Sequence, residues 1–202
     1  MNPNQEEYSI DYLNQIAAPA KKPGLDKKFL LLIGGGLLFA IILVVVLVSL
    51  GNGGNASPSK LQTLEARINT LSTISTSAKQ NIKSNSLRTT NANLIIFLTN
   101  ADRDGTAPLL AAGVAKDKID KAITAAESGD TLKKTLEDAR LNATYDRTYA
   151  REMDYQLETL SALMKGIYES TSSKSMKDFL DTTDTNLATI RKQLSDFSDT
   201  TS

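Results

Sequence analysis

The side chains of this chain that could do chemistry are carboxylates, lysines, tyrosines and hydroxyls, because its 202 residues include no histidine, cysteine or tryptophan. Ser–His and Cys–His nucleophile pairs, thiolate or imidazole metal sites and histidine-ligated haem are therefore excluded. Disulfides are excluded as well, so the fold must be stabilised by packing. We predict a protein that is not an enzyme and that holds no cofactor and no metal.

One short segment resembles a calcium-binding loop. The sequence NADRDG, residues 100–105, matches positions 1, 3, 5 and 6 of such a loop, where oxygen ligands and a turn-forming glycine belong. The match fails further on, because Pro108 occupies position 9 and Ala111 replaces the bidentate glutamate of position 12. We interpret the segment as the polar exit of a helix.

Two glutamates, Glu65 and Glu158, lie 93 residues apart, and the polar pair Asn91 and Asp184 has the same spacing. A ferritin-like di-metal site uses glutamates from different helices, but it also needs two Glu-x-x-His motifs. Both motifs are missing, since the chain has no histidine. We therefore predict that these glutamates are surface or salt-bridged residues and not metal ligands.

A further carboxylate, Asp146, falls on the apolar face of a predicted helix. A buried carboxylate is costly unless it is paired, and three arginines could pair with it: Arg88, Arg147 and Arg151. Three interpretations stay open. Asp146 belongs to a polar layer that fixes the helix register, or it lines a binding pocket with Tyr145 and Tyr149, or the helix face opens to water there.

The elements that must position these residues are predicted to be helices. Apolar residues recur at spacings of three and four in long runs that begin at Leu61, Leu132, Ala150 and Met176. No stretch of any length alternates with a period of two, so we predict an all-α fold. Pro108 suits a helix start, and the residues from there to 128 predict one more helix.

An internal repeat predicts how the helices are arranged. TTNANL at residues 89–94 returns as TTDTNL at residues 182–187. The repeat predicts an antiparallel bundle of two duplicated helical hairpins joined by a long crossover. Among four-helix bundles this is the ferritin-like topology.

The duplicated hairpins require a helix break between Lys79 and Asn85 that mirrors a second break near Ser172–Ser175. Serine and asparagine are mediocre helix formers, and Ser84 or Asn85 can cap a new helix start. The alternative is an elongated coiled-coil stalk, because a near-heptad pattern of apolar residues continues through this segment.

The most apolar segment runs from Phe29 to Leu50 and contains no charge. At about 1.5 Å per residue, a helix over this segment reaches roughly 33 Å and spans a hydrocarbon core of about 30 Å. A signal peptide has a shorter basic head and an apolar stretch of about 7–15 residues. We therefore predict that residues 29–50 form a single transmembrane signal anchor.

The charges around the anchor predict its orientation. Residues 51–59 carry no charge, whereas four lysines precede the anchor: Lys21, Lys22, Lys27 and Lys28. The positive-inside rule places the tail, residues 1–28, in the cytoplasm and the helical part, residues 60–202, outside the cell membrane, with residues 51–59 as a flexible linker. The part beyond residue 50 has 19 basic and 19 acidic residues, so nucleic acid is not an expected partner.

The tail contains one segment with a helical pattern. Tyr12, Leu13 and Ile16 would share one face of a short helix. This face predicts a docking site for a cytoplasmic partner, and a solvated tail at the membrane surface is the alternative.

The sequence YSIDYLNQIA (residues 8–17), the lysine-flanked span and the Ser/Thr/Asn-rich helical part together resemble uncharacterised single-span envelope proteins of Saccharibacteria-type bacteria. The resemblance implies a bacterial cell membrane and an outward-facing domain, and it assigns no functional residue. We expect a membrane-anchored helical bundle that acts as a non-enzymatic interaction or scaffold module, partnered by an envelope protein or by a second copy. The alternative is a ligand-sensing ectodomain that works with a separate signalling partner.

Overall fold

The computed structural model describes residues 56–200, and these residues form helices joined by loops, with no strand among them. The helices are α1 (Pro58–Ala78), α2 (Asn85–Ala111), α3 (Lys121–Ala126), α4 (Asp130–Leu141), α5 (Tyr145–Ser170) and α6 (Lys174–Thr200), with a 3₁₀ helix at Lys116–Lys118. The predicted all-α class is confirmed for this range. The predicted anchor at residues 29–50 and the docking residues Tyr12, Leu13 and Ile16 lie outside it. From residue 56 to residue 200, no helix has the length and apolar character needed to cross a membrane.

The long helices α1, α2, α5 and α6 form a bundle of two antiparallel hairpins. The Asn91 side chain on α2 donates to the Ser75 carbonyl near the end of α1, at 3.0 Å. In the second hairpin, Arg191 on α6 reaches back to Asp154 on α5 at 3.2 Å. The hairpins pack together through α1 against α5 and α2 against α6.

A long crossover, residues 112–144, joins the hairpins and passes from one end of the bundle to the other. It leaves the end of α2 and returns at the start of α5, where Asp146 contacts the loop between α1 and α2. Along the way it lies against α1, since a side chain at Gly129 would come within 2.8 Å of Thr70 and Ile74. The helix directions are therefore up, down, down and up.

Both predicted helix breaks are present in the structure. Helix α1 ends at Ala78, and α2 begins at Asn85 behind the N-cap residue Ser84, whose hydroxyl accepts from the Leu87 N–H at 3.5 Å. Helices α5 and α6 are separated by residues 171–173, slightly earlier than predicted. A coiled-coil stalk requires one unbroken helix through residues 79–84, and the described structure has a loop there.

The prediction of a helix that begins at Pro108 is wrong. Pro108 lies within the last turn of α2, where it removes one helical N–H shortly before the helix ends. The chain then leaves the helix at Gly113, which has a φ of +84°. The Gly113 N–H donates to the Leu110 carbonyl at 3.0 Å and the Val114 N–H donates to the Leu109 carbonyl at 2.9 Å, which is the pairing of a Schellman motif.

Candidate functional site

Asp146 lies at the start of α5 and is bound to the neighbouring loop through backbone groups. Its carboxylate accepts hydrogen bonds from the N–H of Lys83 at 3.0 Å and of Ser84 at 2.7 Å. Arg88 instead donates to the Ile82 carbonyl at 2.8 Å, and Arg151 pairs with its sequence neighbour. The loop N–H groups have no partner within a helix, so they satisfy the carboxylate without an arginine.

Tyr145 and Tyr149 lie next to Asp146, with their rings stacked at 6.0 Å between centroids. Tyr149 is fully buried, and its phenol donates to the Asn91 side-chain oxygen at 2.5 Å. Asn91 in turn donates to the Ser75 carbonyl. We call Ser75, Asn91 and Tyr149 the polar layer, because these buried groups join α1, α2 and α5 in the core. Burial raises the pKa of the Tyr149 phenol, which therefore stays protonated as a donor.

Glu65 lies in a cluster of charged side chains that the sequence did not reveal. The glutamate is completely buried on α1, and its Oε1 atom is 3.2 Å from the Lys116 ammonium. The same ammonium is 2.5 Å from the Asp102 Oδ1 atom on α2. We call Glu65, Asp102 and Lys116 the acid–lysine cluster. The spacing of Glu65 from Leu61 and Ile68, four and three residues, is the signal that places it on the apolar face of α1.

The two carboxyls of the acid–lysine cluster have opposite pKa shifts. Burial, together with a hydrogen bond to Asp102, raises the pKa of Glu65 from 4.5 to about 7, against the opposing charge of Lys116. Burial also acts to raise the pKa of Asp102, but the hydrogen bonds from Lys116 and Glu65 lower it overall. Below about pH 7, Glu65 is therefore the carboxyl that holds a proton, whereas Asp102 stays ionised.

The repeat partner of Glu65 has a different environment. Glu158 is exposed on α5 and pairs with Arg191 at 3.3 Å. The polar pair differs in the same way, because Asn91 is buried in the polar layer and Asp184 is exposed. The repeat therefore predicted the helices but not the surroundings of the side chains on them.

Residues 100–105, which resemble a calcium loop, lie inside α2, so the interpretation as a helix exit is wrong. A helix directs Asp102 and Asp104 away from each other and cannot wrap both around one ion. Asp102 binds Lys116, and Asp104 pairs with Arg103 at 2.9 Å. In the part of the chain that the structure describes, no three acidic side chains come together as a metal site would require.

An open groove of about 320 Å³ lies between α2 and α6, and we call it the α2–α6 groove. Its apolar lining includes Ile96, Phe97 and Ile190, and Ile96 is 60% exposed. Exposed asparagines from both helices flank these residues: Asn93, Asn100 and Asn186. Sequence periodicity could not show the groove, because its two walls are about ninety residues apart along the chain. The one sequence signal for it is Ile96, an apolar residue on the polar face of α2.

Comparison with known proteins gives no guide to function. No protein-family model, curated protein or solved structure matches the chain. The function must therefore be inferred from the chemistry of its own surfaces and buried groups.

The three features differ in what they can do chemically. The polar layer is closed to solvent, and Tyr149, Asn91 and the Ser75 carbonyl are joined by internal hydrogen bonds, so it stabilises helix register. In the acid–lysine cluster, Glu65 is closed to solvent while Asp102 and Lys116 are partly exposed, and the Glu65 carboxyl can gain or lose a proton. The α2–α6 groove is open and carries both apolar surface and amide groups, so it is the feature that can contact another molecule.

Proposed function

We propose that this helical bundle faces outward from a bacterial cell membrane and acts as a non-enzymatic interaction or scaffold module of the envelope. Residues 29–50 would anchor it, with residues 1–28 in the cytoplasm and residues 51–59 as the linker. The lysines before the anchor and the uncharged residues after it support this orientation. The balanced charge of the outer part supports a protein partner over nucleic acid.

The α2–α6 groove is the observation that carries the proposal. Ile96 exposes a large apolar side chain beside Phe97 at the edge of an open trough between two antiparallel helices. Grooves of this shape accept an amphipathic helix, which lays its apolar stripe along the floor. The lining has one charged residue, Asp104, which is already paired with Arg103.

These properties define the chemistry of the partner. We propose a helix from another envelope protein, with a narrow apolar stripe to cover Ile96 and Phe97. The flanks of that stripe would be polar and uncharged, because the groove offers the amides of Asn93, Asn100 and Asn186 for hydrogen bonds. A second copy of this chain is the other candidate occupant, and the experiment below separates the two.

The bundle also supports the ferritin-like topology predicted from the repeat, since two antiparallel hairpins are joined by one long crossover. The topology does not imply a ferritin-like di-metal site here, because the Glu-x-x-His motifs that such a site needs are missing from the sequence. We take the topology as a rigid frame that presents the groove.

A ligand-sensing ectodomain has less support. The pocket expected for a sensor would use Asp146 and Tyr149, but backbone N–H groups bind the first and Asn91 binds the second. Groups engaged in this way stabilise the fold and are not free for a ligand.

Site-specific photo-crosslinking in cells tests the proposal. A photoreactive residue at Asn93 in the full chain should capture one envelope protein, and Ile96→Asp should abolish the capture because it places a charge in the apolar lining of the groove. Leu141→Asp is the matched control, since Leu141 is 67% exposed on α4 and does not line the groove. Circular dichroism of both variants checks that the bundle is folded.

The outcomes are distinct. Capture of one envelope protein that Ile96→Asp abolishes and Leu141→Asp preserves supports the proposal. Crosslinks only between copies of the chain would replace the envelope partner with self-association. Capture that survives Ile96→Asp, or no capture from Asn93 at all, would contradict the role of the groove.

A further inference from the structure

The crossover begins with a segment that is held to the bundle mainly by polar contacts. We call residues 115–126 the strap; it contains the 3₁₀ helix and α3, and none of its side chains is buried. Lys116 attaches it to Glu65 and Asp102, and the Asp120 N–H donates to the Gln62 side chain at 2.8 Å. The strap can therefore move at a lower cost than the helices beneath it.

Beyond the strap, two contacts hold the following residues to α1. Glu127 binds the Arg67 guanidinium through two hydrogen bonds of 2.8 Å, and its carbonyl accepts from the Thr70 hydroxyl at 2.6 Å. Before the strap, Val114 is buried in the core. The strap is thus tethered at both ends, and the acid–lysine cluster is its main attachment between them.

The charge of the acid–lysine cluster depends on one proton. With Glu65 protonated, one carboxylate and one ammonium remain, and the cluster is neutral. Without that proton, two carboxylates face one ammonium, and the carboxylate of Glu65 is a fully buried charge. Leaving a charge buried without a partner is costly, and hydration of the carboxylate relieves that cost.

The geometry of Glu65 fits the protonated state. Its Oε1 atom contacts Lys116 and accepts from the Asn69 amide at 3.2 Å, whereas its buried Oε2 atom has no hydrogen-bond partner among the described residues. A proton on Oε2 removes the negative charge from this unpartnered oxygen, and the neighbouring Asp102 carboxylate favours that protonated form. A deprotonated Glu65 would leave that oxygen buried and unsatisfied.

The groups that face Glu65 come from three elements. Asp102 lies on α2, Lys116 lies on the strap, and Asn69 lies on α1 itself. Among the described residues, Asp102 and Lys116 are the charged groups that act on the Glu65 carboxyl. The nearest turn of α1 also carries Arg67, which is engaged by Glu127.

We propose that Glu65, Asp102 and Lys116 form a proton-controlled latch that holds the strap closed while Glu65 is protonated and releases it when the proton is lost. Release lets water reach Glu65 without separating α1 from α2. The burial that raises the pKa of Glu65 to about 7 places the change near neutral pH. In the proposed orientation, the latch would respond to the pH outside the cell.

Distance measurements between two spin labels test the latch. The chain has no cysteine, so Ser77→Cys on α1 and Asp117→Cys on the strap can be labelled selectively in the full chain in detergent micelles. One distance is expected at about pH 5.5, and a second, longer population is expected at about pH 8.5, with a midpoint near the titration of Glu65.

Three further variants connect the movement to the proton. Glu65→Gln is uncharged like the protonated carboxyl but cannot titrate, so the strap should stay closed at both pH values. Asp102→Asn removes the carboxylate that favours protonated Glu65, so the midpoint should move to lower pH. Glu158→Gln is the matched control, because it removes an exposed glutamate from α5, and it should leave the response unchanged.

Carboxyl carbon NMR of the unlabelled chain gives an independent measurement that requires no variant to fold. Titration of Glu65 near neutral pH supports the latch, and titration near the ordinary glutamate value overturns it. An unchanged label distance between the two pH values also overturns it, as does a response that persists in Glu65→Gln.

Discussion

At the scale of single residues, hydrogen bonds between buried polar groups fix how the helices meet in the core. Asn91 uses both ends of its amide, donating to the Ser75 carbonyl and accepting from the Tyr149 phenol. The sequence placed Tyr149 beside a polar layer or a pocket but named no partner for it. The partner lies 58 residues away on α2, and apolar periodicity carries no information about which polar residues meet across helices.

Tyr149→Phe should destabilise the bundle, because it leaves the Asn91 oxygen buried without a donor. The expected loss is about 1–3 kcal/mol of unfolding free energy, measured by denaturant titration of the full chain. Tyr168→Phe removes a hydroxyl from a ring that is 40% exposed and should change little. Equal effects of the two substitutions would argue against the polar layer.

Stability should also depend on pH through Glu65. Its folded-state pKa is raised from 4.5 to about 7, so between these values the folded chain holds a proton that the unfolded chain has lost. Unfolding free energy therefore falls as pH rises through this window, by at most about 3 kcal/mol. Asp102 has the opposite shift, so its contribution is lost only when pH falls below the ordinary aspartate range.

Denaturant titrations at several pH values measure this dependence, and Glu65→Gln should flatten it within the same window. Glu158→Gln should keep the slope of the parent chain. A slope that Glu65→Gln leaves intact would mean that another group is responsible.

At the scale of helices, the sequence determines the loops between the helices as well as the helices themselves. The predicted break after Ala78 came from weak helix formers and a serine cap, and the structure has both. The repeat offset is not kept across the loops, since residues 79–84 correspond to only three residues, 171–173. The error at Pro108 has a physical reason, because the backbone of Gly113, with its positive φ, ends the helix, and α2 continues through Pro108 with one N–H fewer.

Asp146→Ala should loosen the first hairpin, because the N–H groups of Lys83 and Ser84 lose their acceptor. The expected cost is about 1–3 kcal/mol, together with faster amide hydrogen exchange in the loop at residues 79–84. Asp178→Ala removes an exposed carboxylate that pairs with Lys174 on α6, and it should leave the loop unchanged. Loop exchange that does not respond to Asp146→Ala would contradict this role.

At the scale of the whole molecule, the sequence contained the number and order of the bundle helices but not the surfaces between them. The apolar periodicity and the internal repeat indicate the hairpins, since both can be read from the order of residues along the chain. The α2–α6 groove and the acid–lysine cluster are made by residues from distant stretches, and Lys116 joins the cluster through a crossover whose path the sequence did not indicate. Features of this kind require the packed structure.

The orientation of the molecule in the membrane is the last prediction. The four lysines before residue 29 and the absence of charge in residues 51–59 predict that the bundle lies outside the cell and the tail inside. Protease added to intact cells should therefore remove an epitope tag attached after Ser202 and leave a tag attached before Met1 intact. Permeabilised cells, in which both tags are cleaved, give the control. A bundle that is protected in intact cells would reverse the orientation, and the latch would then respond to the pH of the cytoplasm.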